Sequence, residues 1–199
     1  MIEVLTPTQF KTIPWKNGQG ETTELAISEG GDLSEFDWRL SIASVSHNGV
    51  FSNFNGYQRN LVLIEGQGIS LQHDGKSTDI LKQRLDVASF DGGCETYGEL
   101  LLGAIKDFNI ITRKNKVAPI VGCYVVPQQV TITCKKNSLC FAYSITDEMM
   151  IEAVDAQSSV IAVGHLVKVS AAVDDQEDKA ITVSFTGSNM IIIQLDVIC

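Results

Sequence analysis

The chain has 199 residues, 44% of them hydrophobic, and its 24 acidic and 15 basic side chains give a formal net charge of −9. That length buries a sizeable core, as one large β domain or as two of about 100 residues each. The acidity excludes nucleic-acid phosphates and anionic lipid as general partners, because counterion release needs a basic face, but it leaves room for an anion in a local cationic pocket.

The N-terminus, Met1-Ile2-Glu3-Val4, has neither the basic lead nor the apolar stretch of a secretory leader, and no apolar run approaches the roughly 18 residues of a membrane span, so a cytoplasmic, unanchored chain is expected. Next comes Pro14-Trp15-Lys16-Asn17-Gly18-Gln19-Gly20, which sets a planar aromatic, an ammonium and an amide among two glycines. That composition suits a loop approaching a ligand closely. It lacks the GKS/T ending and following helix of a phosphate loop.

Short β-branched segments bounded by Gly, Asn or Asp follow throughout: Thr22 to Ile27, Trp38 to Val45, Leu61 to Ile64, Gly122 to Val126, Val130 to Cys134, Val160 to Val163, Ala180 to Phe185 and Met190 to Val197. This spacing predicts an all-β sandwich or barrel, and the missing α/β alternation argues against a dinucleotide-binding sheet. The best helical candidate is Thr146 to Val154. A polar, basic stretch ending in proline, Arg113 to Pro119, marks the boundary between halves of 1–113 and 117–199, and the acidic run Asp174 to Asp178 reads as a solvated loop tip.

In Trp38-Arg39-Leu40-Ser41-Ile42 the alternation puts Trp38, Leu40 and Ile42 on one face of a strand and Arg39 with Ser41 on the other. In Asp107-Phe108-Asn109-Ile110 it sets Asp107 and Asn109 opposite Phe108 and Ile110. Arg59 stands at the entrance of Leu61-Val62-Leu63-Ile64, a run apolar on both faces, and a guanidinium there requires partners. Buried ion pairs, Arg39 with Asp107 or Arg59 with Glu24, would fix strand register and nothing more. Against that reading, Lys16, Arg39 and Arg59 facing Glu24 and Asp107 leave one positive charge over in an acidic protein, and a planar fork donor is the usual partner of a carboxylate.

Other chemistries find less support. His47, His73 and His165 form no HxH or HxxxH pair, which disfavours a metal site, and each lies in a turn or at a strand edge, as surface or structurally satisfied residues do. A Ser-His-Asp triad is assembled in space and is open to any spacing, but no nucleophile-elbow glycine pattern occurs. The five cysteines (Cys94, Cys123, Cys134, Cys140 and Cys199) are odd in number without CxxC spacing and read as small buried apolar residues. Cys199, as the last residue, is not the Cys of a CaaX box.

Four stretches, PWKNGQGETTEL (14–25), FDWRLSIASV (36–45), GVFSNFNGYQRNLVLIEGQG (49–68) and DFNIITR (107–113), resemble in this order the HutD/Ves family of bacterial proteins. The resemblance implies a bicupin, two cupin-like jelly-roll barrels in one chain, with the pocket in the first. Gly66 resembles the glycine that closes the first cupin motif. Counting back seven positions reaches Arg59, where a metal-binding cupin has Glu, and Ser52-Asn53-Phe54-Asn55 before it lacks histidine. A cation in place of an anionic ligand implies a barrel for an anion, with no metal and no other cofactor.

The family pattern places Trp15, Lys16, Asn17, Glu24, Arg39, Ser41, Arg59, Asp107 and Asn109 in the pocket, with departures at Gln19 and Ile110-Ile111 that bear on ligand shape. The family's association with histidine utilisation, and a related branch's with stress response, point to urocanate, a formylated or formiminated glutamate, or formate. Three functions are weighed: a metal-independent protein binding a small organic carboxylate; a metal-free isomerase or hydrolase with Glu24 or Asp107 as general base; and a protein-contact module with a vestigial pocket. Cupin-like sheets pair along edges or faces, so a homodimer is one arrangement open to the chain.

Overall fold

The computed structural model describes residues 1–15, 18, 20–153, 157–171 and 180–198. They fold into nineteen strands and one short 3-10 turn, Pro7–Gln9. By its contacts the chain divides into one unit of Phe10–Val117 and another of Met1–Gln9 with Ala118–Cys199. Strand β1 (Ile2–Leu5) opens the chain and pairs antiparallel with Leu166–Ser170. The first nine residues, assigned to the first half by sequence, therefore go with the second unit. The division itself falls at Val117/Ala118, just past a turn at Lys114–Lys116 in which Asn115 takes φ 62°.

The Phe10–Val117 unit holds β2 (Lys11–Pro14), β3 (Gly20–Ile27), β4 (Trp38–Val45), β5 (Gly49–Val50), β6 (Tyr57–Glu65), β7 (Ile69–His73), β8 (Ser77–Leu81), β9 (Val87–Asp91), β10 (Thr96–Leu100) and β11 (Ile105–Arg113). They form a six-stranded sheet in the order β2-β3-β4-β11-β6-β9 and a four-stranded sheet in the order β5-β10-β7-β8. Ala43, Val45, Leu61, Leu63, Ala88, Phe90 and Ile105 from the first sheet pack with Ile69, Leu71 and Leu81 from the second. These are alternate residues of their strands, as a sheet with one face on a core requires. The even-numbered residues of β4, β6 and β11 are also largely buried, among them Leu40, Val62, Phe108 and Ile110, which explains why Leu61 to Ile64 is continuously apolar.

In the other unit β1 joins β12 (Val117–Tyr124), β13 (Gln128–Cys134), β14 (Ser138–Ser144), β15 (Met149–Ala153), β16 (Ser159–Ile161), β17 (Leu166–Ser170), β18 (Ile181–Gly187) and β19 (Met190–Val197). Its sheets run β1-β17-β14-β19-β12 and β13-β18-β15-β16, around a core that includes Phe185, Met149, Met190, Val167 and Ala142. Pro119 sits in β12 at the edge of its sheet, where a missing N–H breaks no ladder. The helix expected over Thr146 to Val154 is absent from the described part: Met149–Ala153 is β15, with Met149 and Ile151 buried and Met150 exposed. A period of two governs that segment, and the β-branched Ile151 suits it. No helix is long and apolar enough to cross a membrane among the described residues.

Candidate functional site

The Phe10–Val117 unit contains a cavity of about 310 Å³ lined by Arg39, Ser41, Arg59 and Asn109 on its polar side, and by Trp15 and Phe51 among its aromatic walls. Strand register brings the polar residues together. Ile111 of β11 lies between Arg39 of β4 and Arg59 of β6, and one rung further along Asn109 lies between Ser41 and Leu61. The next rung sets Asp107 between Ala43 and Leu63, beside a register shift at Lys106/Asp107. Three neighbouring strands thus present their odd-numbered residues to the interior, as the alternation of the sequence predicts.

Arg59 is 5% exposed and ordered from both sides. Its Nε and Nη2 donate to Asn109 Oδ1 at 2.9 and 2.7 Å, while its Nη1 is buried without a partner in the protein. The guanidinium carbon lies 5.0 Å from the Phe51 ring centre, 5.6 Å from Phe90 and 5.9 Å from Phe54, within cation–π range of all three. Burial lowers its pKa to about 10, with nearby Asp107 opposing the fall and Arg39 adding to it, so the group stays charged at neutral pH.

Asn109 links Arg59 to Asp107: its Nδ2 donates to Asp107 Oδ1, which fixes which way round the carboxamide lies. Asp107 is fully buried and its Oδ2 has no partner in the protein. Burial raises its carboxyl to about 6, against the opposing pull of Arg59 and of the Asn109 hydrogen bond. Arg39 Nε donates to Glu24 Oε2 at 2.8 Å, with both side chains largely withdrawn from solvent. The pairing is therefore Arg39 with Glu24, and Arg59 with Asp107 through an amide, rather than the two ion pairs weighed from the sequence. A β-bulge between Glu24 and Ala26 accompanies it.

Trp15 Nε1 donates to Thr22 Oγ1 at 2.8 Å, holding the indole on the cavity wall. Gly20 makes room for it: a Cβ there would lie 2.9 Å from the ring and 2.3 Å from the Ser44 carbonyl oxygen. Of the residues the sequence singled out, Trp15, Arg39, Ser41, Arg59 and Asn109 line the cavity. Asp107 lies behind Asn109 and Glu24 beside Arg39, and neither is part of the lining. Lys16 and Asn17 fall outside the described residues. A general base must reach the proton it removes, and these positions do not favour either carboxylate in that role.

Sequence reasoning missed the phenyl rings of Phe51 and Phe54, the exposed His47 and Ser52, all on the lining, and Phe90 behind Arg59. Phe51 and Phe54 lie in an irregular segment between β5 and β6, where no periodicity reports a direction. Their only sequence signal is two aromatic residues close to a buried arginine. His73 is a satisfied structural residue, between Thr96 Oγ1 at 2.9 Å and Asp79 Oδ2 at 3.1 Å and stacked on Phe90. No group of three or more His, Cys, Asp or Glu side chains able to hold a metal occurs among the described residues.

A family model described as HutD matches residues 7–191. The chain is 40% identical over 110 residues to an uncharacterized 21.2 kDa protein in the hutC 3' region of Pseudomonas putida, covering 55% of this chain and 57% of that protein. It is 39% identical over 102 residues to protein Ves of Escherichia fergusonii, covering 51% and 52%. These alignments span little more than half the length of either relative. A crystal structure of a conserved protein of unknown function from Pseudomonas aeruginosa PAO1 superposes with TM-score 0.84 at 27% identity over all of both chains. HutD from Pseudomonas fluorescens SBW25, in a structure from a formate condition, gives 0.81 at 27% identity over 99% of each. A bacterial pirin from Escherichia coli in complex with nickel(II) gives 0.65 at 8% identity over 98% of each, a likeness of fold alone. The architecture is that of two cupin-like jelly-roll barrels in one chain.

Proposed function

The chain belongs to the HutD family, and we propose that its Phe10–Val117 unit binds a small organic carboxylate without a metal. The observation that carries this reading is Arg59: a buried guanidinium on the wall of the cavity, clasped through Nε and Nη2 by Asn109 and left with Nη1 unpaired. An unsatisfied buried donor on a charged group is costly, and a carboxylate oxygen beside it relieves that cost through a charge-assisted bond. Arg39 contributes a second guanidinium on the rung next to Ile111, with Glu24 neutralising its charge locally. Ser41 and Trp15 offer a hydroxyl and an apolar lid, in the usual mixture of an apolar wall and a few placed polar groups.

Names among the relatives, one from the hutC 3' region and one HutD itself, support an acid drawn from histidine utilisation. Urocanate, formiminoglutamate, formylglutamate and formate are the leading candidates, and the protein's role is to sense or buffer that acid. Thermal melting of wild type and Arg59→Met with these four acids, histidine and glutamate tests the reading. One acid is expected to raise the melting temperature of the wild type selectively, by the equivalent of about 2.7 kcal/mol at a hundredfold excess over Kd, without product formation. The same acid should leave a folded Arg59→Met variant unmoved. A shift that survives in the variant would place the site elsewhere.

A further inference from the structure

We propose that Asp107 is the proton-linked counterpart of the anion site: when a carboxylate settles beside Arg59, Asp107 takes up a proton at its unpartnered Oδ2. This rests on the carboxylate reading above and adds to it a regulator of affinity.

Three buried groups form a line, Arg59, the Asn109 carboxamide and Asp107, in which the amide accepts from the guanidinium at one end and donates to the carboxylate at the other. With Asp107 ionised, the line is neutral and Asp107 is the charge that balances Arg59. A bound carboxylate becomes a second negative charge on the same cation in a water-poor interior, where like charges disfavour joint ionisation. A proton from solvent on Asp107 restores neutrality, and Oδ2 is the atom that accepts it, because Oδ1 is already held by Asn109.

The surroundings leave Asp107 as the group that responds. Its flanking residues across the sheet are Ala43 and Leu63, neither of which carries charge. From the facing sheet the core presents Ile69, Leu71 and Leu81. Among the described residues, the other charged or titratable side chains of this interior and its mouth are Arg59 on β6, Arg39 on β4 bound to Glu24 on β3, His73 on β7 bound to Thr96 and Asp79, and His47 after β4 with Nδ1 2.9 Å from Ser46 Oγ. Burial has already raised the Asp107 carboxyl to about 6, so a modest extra push protonates it near neutrality.

The test uses the full chain and sodium formate, a probe that stays ionised across pH 6–8, with sodium chloride at equal ionic strength as the reference. Formate affinity is read from the melting temperature against concentration at pH 6, 7 and 8, for wild type and Asp107→Asn, which keeps the acceptor for Asn109 and removes the titration. In wild type the affinity should fall toward about tenfold per pH unit above pH 6–7, the limit for one linked proton. In Asp107→Asn it should be flat with pH and, at pH 8, tighter than in wild type. If Asp107→Asn fails to fold, calorimetry of wild type in two pH 7 buffers of different ionisation enthalpy gives the proton count directly, and a fraction of a proton taken up per formate is expected. Formate binding that is independent of pH and takes up no proton overturns this inference and leaves the carboxylate site standing. If formate gives no shift, formylglutamate takes its place at the same three pH values, and binding by none of the four acids removes both readings.

Discussion

The Arg59–Asn109–Asp107 line shows how little of a buried charge's energy is decided by the charge itself. Arg59 alone in a core would be intolerable, but an amide accepting two of its donors, three phenyl faces and the Asp107 carboxylate beyond that amide together hold it. The arrangement costs Asp107 its ordinary acidity, and this has a measurable sign. Its folded carboxyl stands at about 6, above the ordinary 3.8, so the group's contribution to stability is present at acid pH and is lost as pH rises through 6. The difference, about two units, corresponds to on the order of 3 kcal/mol. Other carboxylates titrate in the same range with the opposite sign, so the comparison must be between variants. Urea denaturation should show Asp107→Asn gaining on wild type as pH goes from 4 to 7, by up to roughly that amount. A constant gap between the two curves would mean that Asp107 has an ordinary pKa in the folded chain.

At the scale of strands and loops, the sheet carrying Arg39, Arg59, Asp107 and Asn109 was legible because period-two alternation works well in long, central strands: the bounds of β4 match the predicted Trp38 to Val45, and Asp107 and Asn109 do share a face opposite Phe108 and Ile110. The facing sheet was illegible for the converse reason. Strands β7, β8 and β10 are five residues each, rich in Ser, Thr, Gln and Glu, and none of them reports its buried face with more than two apolar side chains. That sheet nevertheless shapes the site, through Gly98 of β10. A Cβ at Gly98 would lie 2.4 Å from the Phe51 ring, so the glycine lets that ring lie close over β10 while its face meets Arg59. Gly98→Ala should cost about 1–3 kcal/mol as an overpacked contact and, in a variant still folded by circular dichroism, reduce the acid-induced rise in melting temperature. An unchanged rise would mean that Phe51 adjusts without loss and that the cage contributes little to binding.

For the molecule as a whole, the site lies entirely within one unit while the beginning of the chain serves the other. Cavity residues run from Trp15 to Ile111, whereas Ile2–Leu5 lies in a sheet of the other unit, in register with Val169 back to Leu166. That was unreadable from sequence, because four residues carry no useful period and their partner is more than 160 positions away. The placement protects a strand: without β1, the apolar β17 (Leu166–Ser170) would become the edge of its sheet, with a row of unpaired backbone groups. Deleting Met1–Leu5 should therefore lower the melting temperature and promote aggregation, yet leave the acid-induced shift intact in the fraction that stays folded, since no residue of the cavity is touched. Light scattering during the melt reads the first effect and the thermal series with acid reads the second. Loss of the acid response in a folded, monodisperse deletion variant would mean that the two units act on the pocket together, and the binding unit would then have to be defined as the entire chain.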